Sequence, residues 1–246
     1  MTNEHPPGTC YMLAQNSEEW MRARKTCSYN ASGIGALCGL SPYKGPRGGY
    51  EWVKYKTDPR YASDPPFQGN AYTQQGHERE PTTIAIYKKY TGNDVTPGLF
   101  WTAAPRRLSG PIGASPDGLV VAQEGEGVLE VKAPVHKVYE HVPMEHIAQM
   151  HVQMALTGRH FADYVAICYK TQESLAARVY FSAPFYSWII SCLEQVDRWM
   201  ADPTLPYEEM ESHPFVKVVP LEKLYGRPFT TSCLKCGSLL CDECSE

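Results

Sequence analysis

The stretch from Gly113 to Lys132 narrows the folds open to this chain more than any other segment. It reads Gly-Ala-Ser-Pro-Asp-Gly-Leu, then a short acidic link, then Val-Leu-Glu-Val-Lys. Asp117 stands between a proline and a glycine, a pairing that predicts a turn. Gly127–Val131 is a β-branched and apolar run, which predicts a buried strand. Residues two apart on a strand share a face. Glu130 and Lys132 are therefore presented side by side, with Asp117 delivered from the adjoining turn.

Those three side chains define a chemistry. Hydrolysis of a phosphodiester needs a nucleophilic hydroxide, charge relief on the phosphate and help for the leaving oxygen. Mg2+ supplies all three when one or two carboxylates hold it and it keeps several waters. A second ion ~3.5–4 Å away stabilises the leaving group as well. Asp117 and Glu130 are the candidate ligands, and the backbone carbonyl of Val131 lies between the two functional side chains. Lys132 is suited to position the water, lower its pKa and balance developing negative charge. Acidic residues and lysines often alternate on exposed strand faces, so Asp…Glu-x-Lys is weak by itself. The constrained Ser-Pro-Asp-Gly turn and the apolar strand strengthen it.

Charge narrows how such a site would meet DNA. Twenty-three basic and 27 acidic side chains give a net charge of −4, whereas proteins that coat a nucleic-acid backbone are usually basic. Contact must come from a local patch, and Arg22, Arg24, Lys25, Lys44 and Arg47 are the clustered candidates. No apolar run approaches the ~20 residues that span a bilayer, and the start is polar and Pro-rich, so an intracellular, soluble protein is expected. Nine cysteines in that setting suggest reduced thiols or metal ligands rather than a disulfide framework.

Local signals outline the elements. Residues 1–16 read as a flexible lead-in. Ser17 is placed to cap a helix over Glu18–Lys25, and Ala31–Cys38 predicts another ending at Gly39. Gly49–Lys56 carries aromatics at helical spacing, and Ala71–Tyr90 predicts a helix closed by Gly92-Asn93. Short strands are expected at Leu99–Thr102, Ile112–Ala114, Leu119–Val121 and Val128–Lys132. A helix over Met144–Thr157 should stop at Gly158, followed by a strand pair at Tyr164–Tyr169 and Ala177–Phe181. Ser182 caps a further long helix whose stripe is Phe185, Trp188, Ile189, Cys192, Val196 and Trp199. Helices before and after a central set of strands predict one α/β or α+β domain. Its bounds are placed at 17–225, with a Cys-rich tail over 226–246.

Asp117 with Glu130-Val131-Lys132 resembles the PD-(D/E)XK nuclease signature, including the Pro116-Asp117 dipeptide. The wider sequence is similar to the phage-type recombinase branch of those nucleases, the YqaJ and lambda-exonuclease family. Trp20-Met21-Arg22-Ala23-Arg24 followed by Ala31-Ser32 resembles its Trp-x-x-x-Arg…Thr-Ala-Ser opening. Leu40-Ser41-Pro42-Tyr43-Lys44 resembles its Ser-Pro-Tyr turn, and Gly76-His77-Glu78-Arg79-Glu80-Pro81 its Gly-x-x-x-Glu-Pro helix. Gln149-Met150-His151-Val152-Gln153-Met154 followed by Gly158 resembles its Gln-x-His-x-Gln-Met helix. The likeness runs over about residues 17–200, with five blocks in register.

The resemblance implies a restriction-endonuclease-like core, a central mixed sheet flanked by helices. It assigns Asp117, Glu130 and Glu80 to metal binding, with Glu78 as the alternative to Glu80, and makes Lys132 the catalytic lysine. Arg24 and Ser32 match the positions that bind a 5′-terminal phosphate, which an arginine fork suits. Gln149 and Gln153, four apart on one helix face, match glutamines that line the DNA cleft. His151 between them reads as a helix-surface histidine. The implied activity is that of a Mg2+-dependent 5′→3′ exonuclease on linear duplex DNA, with Mn2+ able to substitute. The implied setting is phage or viral recombination in host cytoplasm or nucleus. A single-strand annealing partner and a homotrimer come with it. An endonuclease or nickase of the same fold, and a catalytically silent DNA-binding protein, are the alternatives.

The chain ends in Cys233-x2-Cys236-x4-Cys241-x2-Cys244. Paired Cys-x2-Cys units are a ligand set for structural zinc. An iron–sulfur cluster is a second reading, and a reduced tail without metal a third. In some relatives an earlier cysteine joins such a tail, a part that Cys10, Cys27 or Cys38 would take here.

Overall fold

The structure is a computed structural model that describes residues 8–61 and 71–230; side chains 71–75 and 77 are left aside. Two mixed sheets and seven helices appear among these residues. In chain order they are β1 (Thr9–Tyr11), α1 (Glu18–Lys25), β2 (Tyr29–Asn30), α2 (Ala31–Leu37), α3 (Gly48–Thr57) and α4 (Ala71–Thr91). There follow β3 (Asp94–Pro97), β4 (Phe100–Ala103), β5 (Ile112–Ala114), β6 (Gly118–Ala122), β7 (Gly125–Lys132) and α5 (Met144–Thr157). The last are β8 (Phe161–Cys168), β9 (Glu173–Tyr180), α6 (Ala183–Ala201), β10 (Val218–Pro220) and α7 (Leu221–Tyr225).

The larger sheet has the order β10-β9-β8-β7-β6-β3. Only β7 and β8 run parallel, Glu130 opposite Tyr164 and Lys132 opposite Ala166. Parallel neighbours need a crossover, and α5 supplies it. All eight residues of β8 are buried, because helices cover both faces of the sheet. On one face α2, α5 and α6 pack over Val128, Ala162, Tyr164 and Ala166. On the other, Ile86, Tyr87 and Tyr90 of α4 and Leu221 of α7 pack over Leu129, Val131, Val165 and Ile167. The alternation along β7 thus sends Val131 to the α4 side and Glu130 with Lys132 to the α5 side.

Two devices set where the helices sit. Helix α5 is buried along its length from Ile147 to Thr157, and Gly158 ends it in the left-handed region at φ 70° with its N–H on the Met154 carbonyl. On the other face, Tyr87 donates to Asp163 Oδ2 at 2.6 Å. Asp163 is itself clasped by Arg178 through Nε at 2.7 Å and Nη2 at 2.8 Å. Both charges are buried, so each depends on the other. This cluster joins α4 to β8 and β9, and it fixes the helix that carries Glu80.

Expected helices and strands recur within a few residues of their predicted bounds, and Ser17 caps α1 by accepting from the Trp20 N–H at 3.1 Å. The lead-in differs. Thr9–Tyr11 pairs antiparallel with Phe100–Thr102, and the Gly8 N–H donates to the Leu156 carbonyl at 2.7 Å. The open edge of β4 has backbone groups to satisfy, and the nearest strand-capable segment takes them. His151 also differs: it is fully buried, since the face it occupies meets α6 rather than water. No helix among the described residues is long and apolar enough to cross a membrane.

Candidate active site

Asp117 closes the turn into β6. Its N–H donates to the Leu129 carbonyl at 3.1 Å, and its Oδ2 accepts the Val131 N–H at 2.7 Å. The carboxylate therefore folds back along the edge of β7 through Oδ2. The N–H and C=O of one strand residue point to the same edge, so the Val131 carbonyl faces the Asp117 side.

Glu130 is 2% exposed, and a carboxylate so deep must have its lone pairs met. Gln149 Nε2 donates to Oε1 at 2.7 Å, and Gln153 Nε2 to Oε2 at 2.6 Å. Lys132 Nζ also donates to Oε1 and reaches Gln149 Oε1 at 3.3 Å. Three of about four lone-pair sites are thereby used, which leaves room for one further ligand. The two glutamines were expected to contact DNA. Instead both are buried, and their donors go to Glu130. Among the described residues Gln153 Oε1 has no partner, yet turning the amide would aim that oxygen at a carboxylate, so the orientation is decided by charge.

Helix α4 brings Glu80 beside Asp117, and an apolar concavity of about 360 Å³ is lined by Glu80, Asp117, Leu13, Ile84, Val95 and Leu99. Glu78 lies on the exposed side of the helix. Burial pushes the Asp117 carboxyl well above the usual carboxylate range, and the Glu130 and Glu80 charges push it further. Burial works to lower Lys132, but Glu130 and Asp117 outweigh it and hold the ammonium above its ordinary value. Among the described residues no three His, Cys, Asp or Glu side chains already converge on one point. The donor set fits Mg2+ rather than a closed zinc site: one or two carboxylates, a carbonyl and waters.

Two neighbours were missed in the sequence. Glu145, one turn before Gln149, adds negative charge acting on Lys132. His146 pairs its Nδ1 with the Tyr164 hydroxyl at 3.0 Å; burial, then Lys132, pushes it down to about 3. The i, i+4 spacing of Glu145 and Gln149 was the available signal.

Arg24 and Ser32 do meet, Nη2 to Oγ at 3.0 Å. The Arg24 guanidinium lies over the Trp20 ring, 5.2 Å from its centroid, and among the described residues no carboxylate pairs with it. Burial lowers its pKa. A guanidinium drawn partly from water beside neutral partners is a site for an anion. Of the other basic candidates, Arg22 pairs with Glu18 at 3.3 Å and Arg47 with Glu51 at 3.3 Å, while Lys25 and Lys44 lie on the surface. Cys233, Cys236, Cys241 and Cys244 lie outside the described residues. Cys10 is exposed, whereas Cys27 and Cys38 are buried free thiols.

Residues 19–160 match the model of the YqaJ-like viral recombinase domain. The chain belongs to that family. Every candidate residue named above from Trp20 to Gln153 falls inside the matched span. Among solved structures, it is similar to an alkaline exonuclease (LHK-Exo) from Laribacter hongkongensis, with 25% identity and a TM-score of 0.57. The alignment covers 76% of this chain and 94% of that one. The same enzyme in complex with dAMP matches at 25% identity and TM-score 0.56, with the same coverage. No curated protein matches the sequence. The fold is accordingly the PD-(D/E)XK-like mixed α+β architecture of that exonuclease.

Proposed function

We propose that the chain is a Mg2+-dependent deoxyribonuclease, a 5′→3′ exonuclease that resects linear duplex ends for recombination. The observation that carries this reading is the arrangement of Asp117 beside the Glu130–Lys132 pair at one end of the parallel strand pair, with Glu80 near enough to act on Asp117, inside the family's matched span. Asp117, Glu130 and the Val131 carbonyl, with Glu80, would hold the ion. Bound there, Mg2+ supplies charge relief on the scissile phosphate and an activated water. Lys132 keeps its proton and offsets the negative charge that builds on the phosphate. Gln149 and Gln153 hold Glu130 in one rotamer, and Arg24 with Ser32 receives the terminal 5′-phosphate. The nuclease domain spans 17–225. Membership of a recombinase family supports a phage or viral setting, a single-strand annealing partner and a homo-oligomer.

The test is digestion of 5′-labelled linear duplex, nicked circles and closed circles with Mg2+ or EDTA. Linear DNA should be degraded from its 5′ ends only with Mg2+, and closed circles should survive. Lys132→Ala should abolish cleavage while duplex binding persists. Cutting of closed circles would overturn the exonuclease reading in favour of an endonuclease. Binding without cleavage by the wild type would leave a silent DNA-binding protein.

A further inference from the structure

We propose that Trp20 is a positioning residue that couples the Arg24–Ser32 anion pocket to the Asp117 turn, so that a terminal phosphate on the DNA governs the rate of cleavage. The inference rests on the nuclease reading above. Trp20 is the only buried residue of α1, and each part of its indole has a separate contact. The Arg24 guanidinium covers the ring, 5.2 Å from the centroid. The ring packs edge-on against Phe100, centroids 6.3 Å apart. The N–H edge donates to Ser115 Oγ at 2.8 Å. A phenylalanine would satisfy the packing alone; the hydrogen bond requires the indole.

What lies beyond Ser115 is stiff. Pro116 has a fixed φ, and its carbonyl lies where any Cβ on Gly98 would come within 1.7 Å. Asp117 follows, held by the Leu129 carbonyl and the Val131 N–H. Few soft torsions separate the indole from the carboxylate. On the other side, among the described residues Arg24 is held by Ser32 and the ring. An anion bound between Arg24 and Ser32 would immobilise the guanidinium, and through it the indole and the Ser115 end of the turn. An end without phosphate leaves the same chain of contacts loose.

The experiment compares 5′-phosphorylated and 5′-hydroxyl linear duplexes with the full chain in Mg2+, measuring kcat and KM separately. Trp20→Phe keeps the ring and removes the donor. It should cut the ratio of kcat for the two ends by about ten-fold, the low end for an outer-shell contact, with KM for the phosphorylated end little changed. Ser115→Ala removes the same bond from its other side. The double variant Trp20→Phe/Ser115→Ala should then lose no more of the ratio than Ser115→Ala alone, since interacting groups are non-additive. Equal loss on both kinds of end, or additive losses, would show a merely structural tryptophan and overturn the proposal. A wild type that favours phosphorylated ends, beside a Trp20→Phe that keeps that full preference, refutes the coupling alone. A wild type that cuts neither end refutes the nuclease reading and the coupling together.

Discussion

Glu130 is the residue around which the site is built, and its environment differs from what its strand suggests. Alternation along β7 places it beside Lys132, as the sequence implies, but its charge is kept by Gln149 and Gln153 from a helix 19 and 23 residues away. Gln153 is fully buried, so its substitution acts on Glu130 rather than on DNA. Gln153→Ala should lower kcat about 10–100-fold, the usual scale for a partner of a metal-binding carboxylate, with duplex affinity retained. A Mg2+ titration of the cleavage rate checks it. Unchanged kcat would remove Gln153 from the positioning of Glu130. Asp117 and Lys132 were legible from the Pro-Asp-Gly turn and the Glu-x-Lys spacing because both signals are local. The roles of the glutamines were not, because the face of α5 that meets β7 is chosen by packing.

At the scale of elements, the close approach of the β3–β4 turn to the Ser115–Asp117 turn decides where the carboxylate stands. A Cβ at Gly98 would lie 1.7 Å from the Pro116 carbonyl oxygen, and backbone cannot yield as a flexible side chain can. Gly98→Ala should therefore destabilise the fold by about 1–3 kcal/mol and lower cleavage by displacing Asp117. Gly33, whose Cβ would meet nothing within 4 Å, provides the control: Gly33→Ala should leave both quantities near wild type. Thermal unfolding and initial rates on linear duplex read the two effects, and a fully active Gly98→Ala would refute the argument. Strand β3 itself was not legible, since it is four residues long, ends in Pro97 and is followed at once by Gly98. Its partner β6 supplies the hydrogen bonds that define it.

For the whole molecule, pH links the interior to stability. His151 is buried between α5 and α6. Its Nε2 accepts the Ser182 N–H at 3.2 Å, so Nδ1 carries the proton and donates to the Ile147 carbonyl at 2.8 Å. Burial pushes its pKa from 6.5 down to about 4. Between those values the unfolded chain binds a proton that the folded chain does not, so stability rises with pH across the window. The contribution is complete above pH 6.5 and falls away toward pH 4, by on the order of 3 kcal/mol. Urea unfolding of wild type and His151→Gln from pH 7.5 down to 4.5 isolates it from other groups. The stability gap between the two should shrink as pH falls, and a constant gap would refute a neutral buried His151.

The sequence by itself determined the local frame: the caps at Ser17 and Gly158, the buried strand bearing Glu130 and Lys132, the turn at Asp117, and a family signature spread over five blocks. These depend on periodicity, turn chemistry and spacing, all carried by residues near one another in the chain. Tertiary structure alone decided which faces meet. It gave Glu130 two amide partners, placed Glu80 by anchoring Tyr87 to the buried Asp163–Arg178 pair, drew Thr9–Tyr11 onto the edge of β4, and set Trp20 between Arg24 and Ser115. The physical reason is burial. Once a charge or a backbone edge is taken from water, it must find its partners, and here the available donors and edges lie far away along the chain.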